Sequence, residues 1–382
     1  MTELPQWHED LIRMSTGIDP RAAGAIAGVA GDVARLAGMF NKAQHVPVRG
    51  SKMYLSDAAL RNAYFIYYTT ANMLKLAAPL DALRCSASAA GRAGVQVSVL
   101  DLGCGTGTCM LGLLAWNESR HNAPGPVSYH ASDSVTEAAV FVESLAADMR
   151  RLRPDMPLTV TTSVNDLMRP TTLGRQFDLI FLSNVLSEMP GRDPERLSAF
   201  LIEHLAADGS VVIIEPALRE TSRAALEFRD ALLASGWTVF APCFRQGRCP
   251  ALDDERDWCH HDLPWRRPAW MQVIDDRIGH LKLSLKFTYL VLNRHGETLL
   301  DSLRPAMTPF RVVSERFDEK GRTRAILCGE EGRRPFLLNT RDAGASNDAF
   351  RSAGRYDILT IDGYESRTHR APPPVRCGVG HG

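Results

Sequence analysis

The chain has 382 residues, of which 45% are hydrophobic and 23% charged, with 44 Lys and Arg balanced by 44 Asp and Glu. That composition excludes a disordered or low-complexity chain, and the length allows two or three domains with buried cores. No uninterrupted apolar run approaches the roughly 18 residues that cross a bilayer, and the opening, Met1 to Leu11, is acidic and polar where a signal peptide is basic. A cytoplasmic protein is therefore expected.

The charge is unevenly spread. Residues 1–263 carry 24 basic and 30 acidic side chains, and residues 264–382 carry 20 and 14. Arg311, Arg316, Arg322, Arg324, Arg333 and Arg334 fall in that basic portion and are candidate phosphate contacts for an RNA partner. Eight cysteines in so long a chain do not make a disulfide scaffold, and in a reducing compartment they are thiols. Cys85, Cys104, Cys109, Cys328 and Cys377 are scattered, whereas Cys243, Cys249 and Cys259 crowd into one segment.

In chain order, residues 1–75 read as helical, with small apolar residues recurring from Arg21 to Phe40 and an aromatic run, Ala63 to Tyr68, that suits a packed core face. From about residue 95, short β-branched runs alternate with helical stretches, the pattern of a parallel sheet with crossover helices. The strands are Val95–Leu100, Tyr129–Ser132, Leu158–Thr162, Phe177–Leu182 and Val211–Ile214. A helix over Glu220–Leu233 then ends near Gly236, and Trp237–Phe240 and Leu283–Leu292 supply the sixth and seventh strands on either side of a cysteine-rich insertion. The expected fold is α/β, a doubly wound seven-stranded sheet with an antiparallel edge. Beyond Gly296 short strands recur, at Phe310–Val313, Arg324–Leu327 and Tyr356–Leu359, and Ala371–Pro374 reads as a tail. The expected division is a helical region, 1–75, a sheet domain, 76–296, with an insertion at 241–270, and a β-rich domain, 297–382.

The first strand runs into Asp101-Leu102-Gly103-Cys104-Gly105-Thr106-Gly107-Thr108 and then an apolar helix. Glycines allow a tight turn and let a ligand approach backbone amides that a Cβ would cover. The spacing is Gly-x-Gly-x-Gly, one residue shorter at the third glycine than a dinucleotide fingerprint, and an acid stands two residues before the first glycine. This loop resembles motif I of class I S-adenosylmethionine-dependent methyltransferases, and the resemblance implies that Asp101 faces the methionine end of the cofactor. In that setting Asp133, just past the second strand, is placed to accept from both ribose hydroxyls, and Asp166, past the third, from the adenine amino group. Past the fourth strand, Asn184 and Glu188 lie where such enzymes face their substrate and are the candidate catalytic residues. The segment is neither the Asn/Asp-Pro-Pro-aromatic tetrad of amino methyltransferases nor the Pro-Cys pair of pyrimidine methyltransferases.

Cys243, Cys249 and Cys259 are separated by five and nine residues. Three thiols on one loop suit a soft or borderline metal better than core packing. The spacing is neither the paired knuckles of a zinc ribbon nor the run of radical S-adenosylmethionine enzymes. A fourth ligand is needed: His260 or His261 would complete a zinc site, and Cys328 an iron-sulfur site.

Together, the glycine loop, Glu215-Pro216, Ala241-Pro242-Cys243, Cys249-Pro250, Trp258-Cys259-His260 and Phe287 to Leu292 resemble the methyltransferase-like proteins associated with the small subunit of the mitochondrial ribosome and their bacterial relatives. The resemblance spans roughly residues 55 to 330. It implies a 4Fe-4S cluster on Cys243, Cys249, Cys259 and Cys328, S-adenosylmethionine binding, and a role in assembling the small ribosomal subunit through contact with its RNA. The N-terminal part and the neutral overall charge depart from that family. The readings to be separated are thus a methyltransferase acting on the small ribosomal subunit, a non-catalytic ribosome-binding factor that keeps the cofactor pocket, and a methyltransferase of a small molecule or protein with a structural zinc.

Overall fold

A computed structural model describes residues 2–43, 53–86, 88, 94–119, 125–189, 193–280, 282–303, 308–342, 344 and 347–361. The tail expected at Ala371–Pro374, Cys377 and part of the expected N-terminal helical region, residues 44–52, lie outside them. The chain forms two compact units, Met1–Glu215 with Leu263–Leu285, and Pro216–Asp262 with Lys286–Gly382. These bounds differ from the three-part division drawn from the sequence.

The first unit begins with helices His8–Thr16, Ala23–Ala43, Met53–Ser56, Ala58–Tyr64, Thr70–Met73 and Ala77–Leu83. Asp57 starts the fourth by accepting from the amides of Ala59 and Leu60, and the winding loosens into a π-helical turn over Phe65–Thr69. Within the second helix, Ala23–Phe40 is long and apolar enough to cross a membrane by length and composition, although Asp32 and Arg35 interrupt the run. That helix packs on Ala269–Ile278.

Five strands follow: β1 (Val97–Leu102), β2 (Val127–Asp133), β3 (Leu158–Val164), β4 (Phe177–Ser183) and β5 (Leu205–Pro216). All pair in parallel, in the order β3-β2-β1-β4-β5. Helices Thr108–Ser119, Thr136–Leu152 and Pro194–His204 provide the crossovers between parallel neighbours. Val99, Leu100 and Leu102 of β1, Leu179 to Leu182 of β4 and Val211 to Ile214 of β5 are buried, as expected of strands covered on both faces. The strand order reverses at β1. The crevice beyond the carboxyl ends of β1 and β4 is where such a sheet binds its ligand.

The second unit contains helix Arg219–Ala234, β6 (Thr238–Ala241), β7 (His261–Pro264, which begins in this unit) and β8 (Ser284–Asn293). β6 runs antiparallel to β8, pairing Thr238 with Asn293 and Val239 with Leu292. All seven strands read from the sequence are therefore present, and the fold is the doubly wound α/β class. β7 is additional. A separate antiparallel sheet comprises β9 (Thr308–Val312), β10 (Phe317–Glu319), β11 (Arg322–Gly329), β12 (Gly332–Asn339) and β13 (Ile358–Ile361), ordered β10-β11-β9-β13 with β12 also on β11. Phe310, Val312, Ala325, Leu327, Phe336, Leu338, Phe350, Leu359 and Ile361 form its core.

Between β1 and the following helix, Gly103, Gly105 and Gly107 have φ of +74°, +50° and +81°. A Cβ on Gly103 would lie 2.5 Å from Val185 Cγ2, whereas one on Gly105 would meet nothing within 4 Å. Both positions strain an L-residue, but only the first also overlaps a stiff β-branched neighbour. Gly103→Ala should therefore destabilise the chain by about 2–4 kcal/mol and Gly105→Ala by about 1–2 kcal/mol, measured by urea unfolding.

Candidate functional site

The turn after β1 is held from the end of β2. The amides of Gly103 and Cys104 donate to the Ser132 carbonyl at 2.7 and 3.0 Å, and the Gly105 amide donates to Asp133 Oδ2 at 2.9 Å. Asp133 Oδ1 accepts from the Val135 amide at 3.0 Å. Each oxygen thus carries one backbone donor, and an ionised carboxylate has about four acceptor positions, so two remain for a ligand. Across the crevice, the buried Glu215 carboxylate accepts from the amides of Leu186 and Ser187 at 2.8 and 3.2 Å and fixes the turn after β4.

These turns border a cavity of about 260 Å³. Gly103, Gly105, Asp133, Asp166, Asn184 and Glu188 all line it, so the structure brings six of the eight candidate residues together. Asp166 is exposed at the rim and accepts from the Met168 amide at 3.0 Å. Asn184 has φ of +57°, uncommon for a residue with a Cβ, and its amide donates to the Ile214 carbonyl at 2.7 Å. Gly107 does not line the cavity; a Cβ there would press on Leu145 Cδ2 at 2.9 Å, so its role is in closing the turn against the crossover helix.

Asp101 does not line it either. It is 1% exposed, receives the Tyr129 hydroxyl at 2.8 Å on Oδ2, and lies beside the Cys109 thiol. Burial outweighs the Tyr129 bond and pushes its pKa up to about 7. Ser183, on the cavity wall, neighbours the same thiol. The thiols of Cys104 and Cys109 line the cavity but burial pushes both well above the usual range, so neither is a thiolate nucleophile at neutral pH.

The cavity wall also includes Tyr54 and Tyr64. Tyr54, Tyr64 and Tyr68 stack successively at 5.2 Å between ring centroids, with Phe40 edge-on to all three. The aromatic run therefore divides its labour: Tyr67 is core, its hydroxyl 2.5 Å from buried Asp275, and Tyr64 faces the cavity. Helical periodicity places both, but a π turn between them shifts the register in a way that the sequence did not signal.

In the second unit, Cys243, Cys249, Cys259 and Cys328 line a single smaller cavity. Cys328 lies on β11 opposite Arg311 of β9 and Arg333 of β12, so two guanidinium-bearing residues flank it across the sheet. The cysteine segment has little regular structure, and arginines hold its carbonyls. Arg229 donates to Arg245 O and Gly247 O at 2.5 and 2.9 Å, Arg311 to Pro242 O and Tyr356 O at 2.7 Å each, and Arg223 to the carbonyls of Ala251, Asp254 and Asp257. Burial raises the thiol pKa values of Cys249 and Cys259 and pushes that of Cys328 up to about 12. His260 and His261 do not line this cavity; their rings stack on Trp258 and Tyr356. Among the described residues, no three His, Cys, Asp or Glu side chains close around a single metal ion.

The six arginines of the expected basic face fall into two settings. Arg311 and Arg333 are walls of the cysteine cavity, Arg333 also pairing with Asp257. Arg316 pairs with Asp318, Arg322 and Arg324 with Glu319, and Arg334 with Glu331. These last four pair with acids two to five residues away in the sequence, and Arg316, Arg322 and Arg324 keep side-chain exposures of 37%, 51% and 44%.

Among solved structures, the chain is similar to an O-methyltransferase family protein from Burkholderia thailandensis, at 11% identity over 69% of each chain with a TM-score of 0.35. It is similar also to a class I S-adenosylmethionine-dependent methyltransferase from Listeria monocytogenes, at 11% identity over 75% of this chain and 87% of that one, with a TM-score of 0.39. A third is the plantazolicin methyltransferase BpumL with S-adenosylhomocysteine, at 10% identity over 70% and 98%, with a TM-score of 0.34. No curated protein matches the chain. The family model described as mitochondrial small ribosomal subunit Rsm22 matches residues 60–358, and the chain therefore belongs to the Rsm22 family.

Proposed function

We propose that this chain binds S-adenosylmethionine in the crevice beyond β1 and β4, carries a 4Fe-4S cluster on Cys243, Cys249, Cys259 and Cys328, and acts on the small ribosomal subunit as an assembly factor or rRNA methyltransferase. The observation that carries the first part is the glycine loop. Gly103 and Gly105, both at positive φ, border a cavity into which Gly105 sends no side chain, and Asp133 stands beside it with acceptor capacity left over. Asp133 would take the ribose hydroxyls and Asp166 the adenine amino group. Ser183, on the cavity wall, and the carboxyl of Asp101, buried beside Cys109, would face the polar amino-acid end of the cofactor.

The cofactor supplies an electrophilic methyl group when bound. What the chain adds is positioning: the Glu215 clamp holds the turn bearing Asn184 and Glu188, and Tyr54 and Tyr64 cover the crevice from the helical side. With the neighbouring thiols protonated, Glu188, on the turn after β4, is the carboxylate we assign to accept a proton from the methyl-accepting group.

The four thiols fit a cluster by their chemistry. All four share one cavity, and the charge that four thiolates would bring is opposed by Arg229, Arg311 and Arg333 in the same wall. Neither histidine offered for zinc reaches that wall. Because burial holds the free thiols protonated, metal loading must release protons, and it should be favoured as pH rises.

Co-sedimentation with small ribosomal subunits in sucrose gradients tests the ribosomal role: migration with the subunit is expected, and a chain that stays at the top of the gradient would contradict it. Transfer of label from S-adenosylmethionine to purified subunits separates an enzyme from a non-catalytic factor.

Three further outcomes follow from the sites. The pKa of Asp101 is raised in the folded chain, so its carboxyl favours folding at low pH and that contribution is lost as pH rises through about 7. An ammonium beside it requires the carboxylate, so S-adenosylmethionine should bind roughly fivefold more tightly at pH 7 than at pH 6 and about tenfold more weakly again for each further unit down, and Asp101→Asn should flatten that dependence in calorimetry. Gly105→Val should abolish binding while leaving the fold intact by circular dichroism; unchanged affinity would remove the cavity assignment. Cys328→Ser, prepared anaerobically, should lose most of its iron and acid-labile sulfide.

A further inference from the structure

Tyr356 adjoins the cysteine cavity just before β13, and its backbone is unusual. Its φ is +76°, a conformation that bulky L-residues rarely adopt. Several contacts hold it there. The amide donates to the Val312 carbonyl at 2.7 Å, the carbonyl accepts from Arg311 Nη1 at 2.7 Å, and the ring stacks on His261 at 4.6 Å between centroids. The residue is 6% exposed, and its hydroxyl lies 3.3 Å from Cys259 Sγ. Strained backbone persists where the surroundings over-determine it, and here the result is a phenol aimed at one of the four thiols.

We propose that Tyr356 is a positioning residue that sets the reduction potential of the four-cysteine site, its hydroxyl donating a hydrogen bond to the Cys259 sulfur. The inference rests on the cluster reading above. A ligand thiolate has no proton, so at this contact it accepts and the phenol donates. One-electron reduction adds negative charge that is shared with the ligand sulfurs, and a donor to one of them stabilises the reduced state more than the oxidised state. No covalent bond changes. The electron comes from an added reductant such as dithionite. Arg333 and Arg311 supply fixed positive charge in the same wall, whereas the tyrosine hydroxyl can be removed without altering charge or ring packing.

The test uses the full chain, prepared anaerobically, with iron and sulfide quantified before a spectroelectrochemical titration of its visible absorbance. Tyr356→Phe should keep the iron content of the wild type and shift the midpoint potential to a more negative value. An unchanged or more positive potential at equal iron content would overturn the proposal. If the phenylalanine variant does not fold, Tyr356→3-fluorotyrosine retains the shape and strengthens the donor; its potential should then be more positive than that of the wild type, and no shift would again overturn the proposal. A well-folded wild-type chain that takes up no iron would instead refute the cluster reading itself, a result distinct from equal potentials in two loaded proteins.

Discussion

Buried backbone must find hydrogen-bond partners, and the stretch between β6 and β7 has almost no helix or strand to supply them. Arginine side chains take that place. Arg223 and Arg229 project from one helix, Arg311 reaches from the small antiparallel sheet, and together they bond the carbonyls of residues that flank Cys243, Cys249 and Cys259. A guanidinium carries five donors in a rigid plane, so one side chain can fix several carbonyls at once. The same groups bring positive charge to the sulfur-lined wall. Shape and electrostatics of the cysteine cavity are thus consequences of a single device.

The first unit solves its own problem with carboxylates. Its glycine loop and the turn after β4 both present amides to acids, Asp133 for one and Glu215 for the other. Those contacts place the loop amides and the Asn184–Glu188 turn on either side of the crevice without help from a ligand. Pre-organisation of this kind reduces the cost of ordering groups upon binding. Asp101 lies one layer deeper, and its cost of burial is the feature of this unit most sensitive to pH.

Much of this was legible in the sequence because local patterns carried it. The Asp101 to Thr108 loop announces its turn through glycine spacing, and the parallel strands announce themselves as short apolar runs. Cys243, Cys249 and Cys259 are conspicuous by proximity alone. Cys328 is not: it joins the other three only because β11 lies between β9 and β12 and turns that residue to the same cavity. Of the basic residues, Arg311 and Arg333 turn into the cysteine cavity through strand register, which composition does not show, whereas Arg316, Arg322 and Arg324 stay exposed beside Asp318 and Glu319. Tyr64 and Tyr356 were missed for backbone reasons, a π turn in one case and a positive φ in the other, neither of which leaves a residue-type signature.

The chain belongs to the Rsm22 family, and it carries two distinct cavities, a crevice beyond β1 and β4 bordered by the glycine loop and a wall of four cysteines held by arginines. Native mass spectrometry of the anaerobically purified chain tests the account most directly, because it counts both occupants on one molecule. The account predicts a mass increase equal to four irons and four sulfides, and a second increase when S-adenosylhomocysteine is added. A chain that carries a single zinc in place of the iron-sulfur increment, or takes up no S-adenosylhomocysteine, would contradict it.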